Sequence, residues 1–314
     1  MEAPTNNLPL IPYNVVQTTG PLLLGHLLNW FLFGLLSLQI YIYYLSFPDD
    51  SLSSQALSYG VYLFELAQTI ILTQAAFRVF AQGYGNLHIL DEVGTNWLSA
   101  PIMGGIVAFV AQAFYARRIW ILSKSIMVPL IILLLATISL AGAIALGVAA
   151  KLAASVGKFV GTESRVLSIV TGIWNGGSCL CDILIATSMT VYLTRRNSSI
   201  PRTRQLVKRI IRLTIETGTL TAVVALLNLI LALLPNHPTY YRVVAGCLGK
   251  LYANSMMAVF NNRAHLWMDD RSGADSSIVF PSRYFNQDLE MDNLDGELQS
   301  KRTDTYIARG PVET

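Results

Sequence analysis

Residues 126–150 read IMVPLIILLLATISLAGAIALGVAA, 25 residues without a charged side chain. About 20 apolar residues carry a helix across the hydrocarbon core of a bilayer, whereas runs of roughly 10–14 belong to soluble cores. In lipid such a run must be helical, because each backbone group left unpaired would cost several kcal/mol. The same criterion, applied outward in both directions, finds six more segments. The set is 21–45, 54–79, 98–116, 126–150, 166–193, 210–234 and 240–260. The chain as a whole agrees: of its 314 residues 53% are hydrophobic and 13% charged, with a mean hydropathy of +0.48. A soluble domain would carry about 25% charge. The reading is an all-α, polytopic membrane protein, a bundle of seven transmembrane helices, and a soluble enzyme is excluded.

The few charges are unevenly spread. Residues 1–261 hold 16 Lys/Arg and 9 Asp/Glu, and residues 262–314 hold 6 and 10. This divides the chain into an N-terminal segment (1–19), a seven-helix domain (20–262) and a polar tail (263–314) read as largely disordered. Cys179, Cys181 and Cys247 fall inside apolar runs, so no disulfide framework is expected. The N-terminus lacks a basic n-region and its first apolar run is too long for an h-region, so no cleavable signal peptide is expected. The pI of about 8.7 reflects bases between apolar segments rather than nucleic-acid binding.

Orientation follows from counting Lys and Arg near the segment ends. With the N-terminus outside, the cytoplasmic side receives ten: Arg117, Arg118 and Lys124, then Arg195, Arg196, Arg202, Arg204, Lys208, Arg209 and Arg212. The opposite side receives five: Arg78, Lys151, Lys158, Arg165 and Arg242. The N-terminal segment is therefore read as extracellular or lumenal and the tail as cytoplasmic. The first connection, with Asp49 and Asp50 and no base, is the exception. Asn197-Ser198-Ser199, the only glycosylation sequon, lies in the basic loop on the cytoplasmic side. Trp97 and Trp120 bracket the third segment about 34 Å apart at 1.5 Å per residue, the spacing of two interfacial aromatic belts. Pro21, Pro101 and Pro129 are read in first helical turns.

Ionisable residues inside membrane helices are costly and mark either a functional site or a compensating pair. Glu65, Asp182, Glu216 and Lys250 are the four cases. Glu65, Asp182 and Lys250 fall close to the midplane and suggest a buried pair or triad; Glu216 lies nearer the cytoplasm. Asn175, Ser178 and Asp182 share one helical face, Lys250, Asn254 and Asn261 another, and Gln68 and Thr69 follow Glu65. Glu65, Asn175, Asp182, Glu216, Lys250 and Asn254 thus form a candidate bundle-interior polar cluster. Two readings stay open: a hydrogen-bonded core that fixes packing, or a ligand or ion site.

No cofactor is expected. A lysine in the seventh segment raises a retinal Schiff base, but the microbial opsin pattern puts an Asp one turn before that Lys, where Gly246 stands. The third segment also lacks a carboxylate counter-ion. His26, His88, His237 and His265 are scattered, so no metal cluster of the usual spacing arises. Gly176-Gly177-Ser178-Cys179 is only a partial nucleophile elbow, without its last glycine and without a later histidine base, so no enzymatic site is expected. Between Arg195 and Arg212 seven bases occur with no acid. Such a loop is drawn to anionic lipid by about 1 kcal/mol per base, and it also offers a surface to the acidic tail or a cytoplasmic protein partner.

Four stretches carry a family resemblance. They are Gly20-Pro21-Leu22-Leu23-Leu24-Gly25 with Leu28-Asn29-Trp30; Trp174-Asn175-Gly176-Gly177-Ser178 with Cys181-Asp182; Arg212 to Thr221; and Lys250-Leu251-Tyr252-Ala253-Asn254-Ser255 with Phe260-Asn261-Asn262-Arg263. In this order the chain resembles an uncharacterised family of seven-transmembrane proteins from mushroom-forming fungi (basidiomycetes), a domain of unknown function. The resemblance implies no activity, but it covers Asp182, Glu216, Lys250 and Asn254.

The resulting expectation is a receptor-like or sensor-like membrane protein. It departs from hormone receptors in having no acid before Arg117-Arg118 and no proline and tyrosine after Asn254. The alternatives are a small-solute or proton-coupled transporter using Glu65, Asp182 and Lys250, against which stands the lack of an internal repeat, and a structural or scaffolding protein.

Overall fold

The computed structural model describes residues 14–83, 89, 94–153, 164–195, 201–233 and 240–262. Among them the chain forms seven long helices and no strand: α1 (Asn14–Ser46), α2 (Leu52–Phe77), α3 (Gly104–Ser123), α4 (Met127–Ala153), α5 (Ser164–Arg195), α6 (Pro201–Leu233) and α7 (Tyr240–Asn261). A π turn, Arg78–Gln82, extends α2, and another, Leu98–Met103, leads into α3. Each of the seven is long and apolar enough to cross a membrane.

Helices consecutive in the chain pack side by side, except that α2 meets the π turn before α3 rather than α3 itself, and α7 closes the arrangement against α1. α3 also packs on α5 and α7. α3 and α7 form the centre: 56% and 67% of their spans are buried, against 22–39% for the others. The bundle is apolar outside, with Leu24, Phe31, Leu134 and Val223 exposed, while Gln68, Gln112, Asn175 and Lys250 are buried. This distribution suits a lipid solvent, in which apolar side chains gain nothing by hiding and polar ones must find partners inside.

Four boundaries differ from the sequence reading. α1 begins at Asn14, so Pro21 lies within the helix rather than in its first turn, and residues 14–19 are helical rather than part of a separate segment. Pro101 lies in a π turn, an irregularity compatible with a residue that has no N–H to give. α3 runs past Ala116 to Ser123 and stops where Lys124 turns left-handed at φ 56°, its N–H bonded to the Trp120 carbonyl at 3.1 Å.

α6 begins at Pro201 instead of residue 210. Arg202, Arg204, Lys208, Arg209 and Arg212 are therefore helical rather than part of a loop. Proline is preset for a first helical position, and Arg, Lys, Gln and Leu continue a helix well. An apolar-run criterion stops at the first cluster of charge, whereas the backbone does not. Arg195 ends α5. Arg196, the Asn197 sequon, residues 1–13 and the acidic tail from residue 263 lie outside the described residues.

α1 and α7 run parallel in a seven-residue register. The Cys247 thiol faces the Gly25 carbonyl at 3.9 Å, Asn254 Nδ2 donates to the Leu32 carbonyl at 3.1 Å and Asn261 Nδ2 to the Gln39 carbonyl at 2.8 Å. Each step is seven residues along both helices, the period at which two slightly crossed helices keep the same faces in contact.

Candidate functional site

The predicted polar residues separate into three places. In the first, Lys250 of α7 reaches α2. Its ammonium forms an ion pair with Glu65 Oε2 and donates to the Glu65 carbonyl at 3.1 Å and to Gln68 Oε1 at 2.9 Å. Lys250 and Glu65 side chains are both 0% exposed. Gln68 in turn donates to the Ser99 carbonyl at 2.6 Å, tying the π turn before α3 into the same cluster. A lysine has three N–H donors, and all three are used within the protein. The arrangement cancels its own charge and joins α2 to α7. It leaves no ammonium donor for a ligand.

The closeness of α3 and α7 at this point requires glycine. A Cβ on Gly249 would stand 3.1 Å from the Gly104 Cα and 3.2 Å from Glu65 Oε1. The helix carrying Lys250 thus comes near enough to deliver it to Glu65 because its neighbour has no side chain.

Asp182 of α5 belongs to a second place rather than to a triad with that pair. Its carboxylate accepts from Tyr252 OH at 2.8 Å and Gln112 Nε2 at 3.3 Å, both uncharged. A void of about 10 Å³ lies beside it, lined by Tyr115, Ile185, Thr217, Gly218, Thr221, Tyr252 and Ser255. That is about the least that holds one water. In the third place, Asn175 accepts from Asn228 Nδ2 at 2.9 Å and donates to the Thr171 carbonyl at 3.2 Å, linking α5 to α6. Asn254, half-buried, belongs to the α1–α7 register, and its amide also bonds the Lys250 carbonyl at 2.7 Å.

Glu216 is not in the bundle interior. Its side chain is 59% exposed and pairs with Arg212 Nε at 2.7 Å one turn earlier, itself 80% exposed. The apolar span of α6 starts only at Ile215, so Glu216 sits at its edge, where a carboxylate needs no buried partner.

A larger opening than the void beside Asp182 is elsewhere, and sequence reading missed it. At the end of the bundle where α1, α3 and α7 start and α2 and α4 finish, a cavity of about 100 Å³ lies among His26 and Asn29 of α1, Trp97 and Pro101 before α3, Trp174 of α5 and Gly246 of α7. The Lys151 ammonium stands 4.5 Å from the centre of the Trp97 ring, a cation–π contact beside the cavity wall. Trp174 is positioned by α4. A Cβ on Gly142 would lie 3.0 Å from the Trp174 backbone nitrogen, and Ser139 donates to the Trp174 carbonyl at 2.7 Å. Asn29 is held by its Nδ2, which donates to the Gly246 carbonyl at 3.2 Å.

Two buried polar atoms among these residues remain without a partner among the described residues: Asn29 Oδ1, an acceptor, and Trp174 Nε1–H, a donor. Both residues are nearly inaccessible, 2% and 3% exposed. Buried polar groups are paired in the great majority of cases, and these two exceptions belong to residues that line the cavity, beside the further polar side chains of His26, Asn96 and Tyr241. The sequence signal was a neutral Asn or Trp in an apolar run, which a search restricted to ionisable groups passes over. Among the described residues no group of three or more His, Cys, Asp or Glu could hold a metal.

No curated protein and no solved structure matches the chain. A family model does match over residues 178–265, from the middle of α5 through α7, and so takes in Asp182, Glu216, Lys250 and Asn254; it is described as a family of unknown function (DUF6534).

Proposed function

We propose that this chain is a receptor-like or sensor-like membrane protein, with its N-terminus outside and its C-terminus cytoplasmic, that takes a small ligand into the cavity among α1, α2, α4, α5, α7 and the π turn before α3. The observation that carries this reading is the cavity of about 100 Å³, walled mostly by apolar residues with His26, Asn29, Asn96 and Tyr241 among them, at the end of the bundle away from the basic stretch. Under the orientation favoured by ten bases against five, that end faces outward. A transporter built on Glu65 and Lys250 is less well supported, because their ionic bond and the remaining lysine donors are engaged within the bundle. The basic stretch from Arg195 to Arg212 is the surface proposed for anionic lipid and a cytoplasmic partner. No enzymatic chemistry is proposed.

The test is reconstitution into lipid vesicles with two readouts. A fluorophore on Thr194→Cys, at the basic end of α5, changes its emission when benzyl alcohol saturates the protein, and the vesicles show no proton flux beyond empty ones under an imposed potential. A flux that disappears with Glu65→Gln, or a reporter that never responds, refutes the reading. Glycosylation of Asn197 in expressed protein would invert the orientation.

A further inference from the structure

We infer that the void beside Asp182 binds a single sodium ion, held by the Asp182 carboxylate and by oxygens of the residues around it. The inference is independent of the larger cavity, since the two spaces share no lining residue. Charge is the first argument. Asp182 is 4% exposed, and among the described residues no ion pair neutralises it. An ionised carboxylate buried within a membrane bundle is costly without a counter-charge. Its hydrogen bonds, from Tyr252 and Gln112, come from neutral groups. A carboxylate has about four lone-pair sites, so two remain for a cation.

Hydrogen-bond accounting is the second argument. A hydroxyl has one proton to give. The Tyr252 proton goes to Asp182 Oδ2, the Thr221 proton to the Gly218 carbonyl at 3.1 Å and the Tyr115 proton to the Ser255 carbonyl at 3.3 Å. All six of these residues line the void. The three hydroxyls therefore keep only lone pairs, next to a carboxylate with sites to spare. Oxygens that have spent their protons suit a hard cation. The volume of about 10 Å³ is that of one water-sized sphere, so an occupant touches the residues that line it. One carboxylate balances one positive charge, and a divalent ion would leave a net charge buried. The larger potassium ion is disfavoured by the size of the space, the property by which oxygen sites choose among cations. Thr217 and Gly218 follow within one turn of Ile215, where the apolar span of α6 begins, which gives an ion a short way in.

The test is thermal unfolding of the full chain in phosphatidylcholine nanodiscs at constant ionic strength, with sodium chloride replaced stepwise by potassium or N-methylglucamine chloride. Sodium is expected to raise the unfolding temperature saturably. At ten times its half-saturating concentration the folded-to-unfolded ratio should stand about elevenfold above that in N-methylglucamine. Potassium is expected to need at least about tenfold more for the same rise. Asp182→Asn, close in shape, should abolish the sodium response, and Thr221→Val, which removes one oxygen, should weaken it. Unfolding that sodium and potassium shift alike, or that neither shifts, as in a void holding only water, overturns the inference. So does a sodium response that survives intact in Asp182→Asn, or a calcium response that needs Asp182 and comes at a lower concentration than sodium. The comparison of salts in the unmodified protein decides the matter even if neither variant folds.

Discussion

Lys250 gives two of its three N–H bonds to a single residue, Glu65: one to the carboxylate and one to the backbone carbonyl of the same turn of α2. The second bond fixes the lysine relative to the helix itself and not only to a side chain that can swing. The pair therefore sets the height of α7 against α2, and Gln68 completes it from one turn further on.

Lys250→Met should accordingly act on stability first. It leaves the Glu65 carboxylate buried with its cation removed, a change that costs about 3–5 kcal/mol. Unfolding in mixed detergent micelles should show that loss. The double variant with Glu65→Met, which removes both charges, should regain most of it. A Lys250→Met protein as stable as the parent would mean that the pair does not hold the helices together.

The α1–α7 register yields a second expectation. Asn254→Leu and Asn261→Leu each remove one side-chain bond to an α1 carbonyl. Interhelical hydrogen bonds in membranes are worth about 0.6 kcal/mol on average and roughly 1.7 at most. The two sites lie about 10 Å apart along α7, so their effects should add. Unfolding of the two single variants and the double variant checks this, and a loss well above the sum would reveal a cooperative seam.

The number and placement of the helices were legible because lipid demands long apolar runs, and Glu65 and Lys250 stood out because lipid rejects lone charges. Which carboxylate takes the lysine was not legible. Depth puts Glu65 and Asp182 together, but the partners of Asp182 are the uncharged Tyr252 and Gln112, contributed by other helices. Glu216 was misread because the apolar run was begun at Ile210, whereas the helix starts nine residues earlier and pairs the carboxylate with Arg212 outside the bundle. The cavity was invisible for a different reason. It is a space left where five helices and the π turn before α3 fail to meet, and the residues that line it, Asn29 and Trp174 among them, come from far apart in sequence.

Gly246 and Gly249, three residues apart on α7, should respond oppositely to a methyl group. Gly249→Ala forces a Cβ to within 3.1 Å of the Gly104 backbone and 3.2 Å of Glu65 Oε1. Overpacking of this kind costs about 1–3 kcal/mol. Gly246→Ala meets nothing within 4 Å and should be neutral or stabilising by roughly 0.5–1 kcal/mol, the helical preference of alanine over glycine. Equilibrium unfolding of the two variants side by side tests the close approach of α3 and α7.

The two buried carboxylates should differ in the same experiment. Glu65→Gln removes the negative charge facing Lys250 and leaves an ammonium buried without its counter-ion, so it should destabilise by several kcal/mol. Asp182→Asn keeps the shape of the side chain, and the groups bonded to it, the Tyr252 hydroxyl and the Gln112 amide, can each act as donor or acceptor and reorient. In buffer without sodium no cation is orphaned, and the loss should stay near 1 kcal/mol, the net worth of a typical hydrogen bond. If Asp182→Asn proved as damaging as Glu65→Gln, Asp182 would have to be balancing a positive charge, and its separation from the Lys250 pair would be wrong.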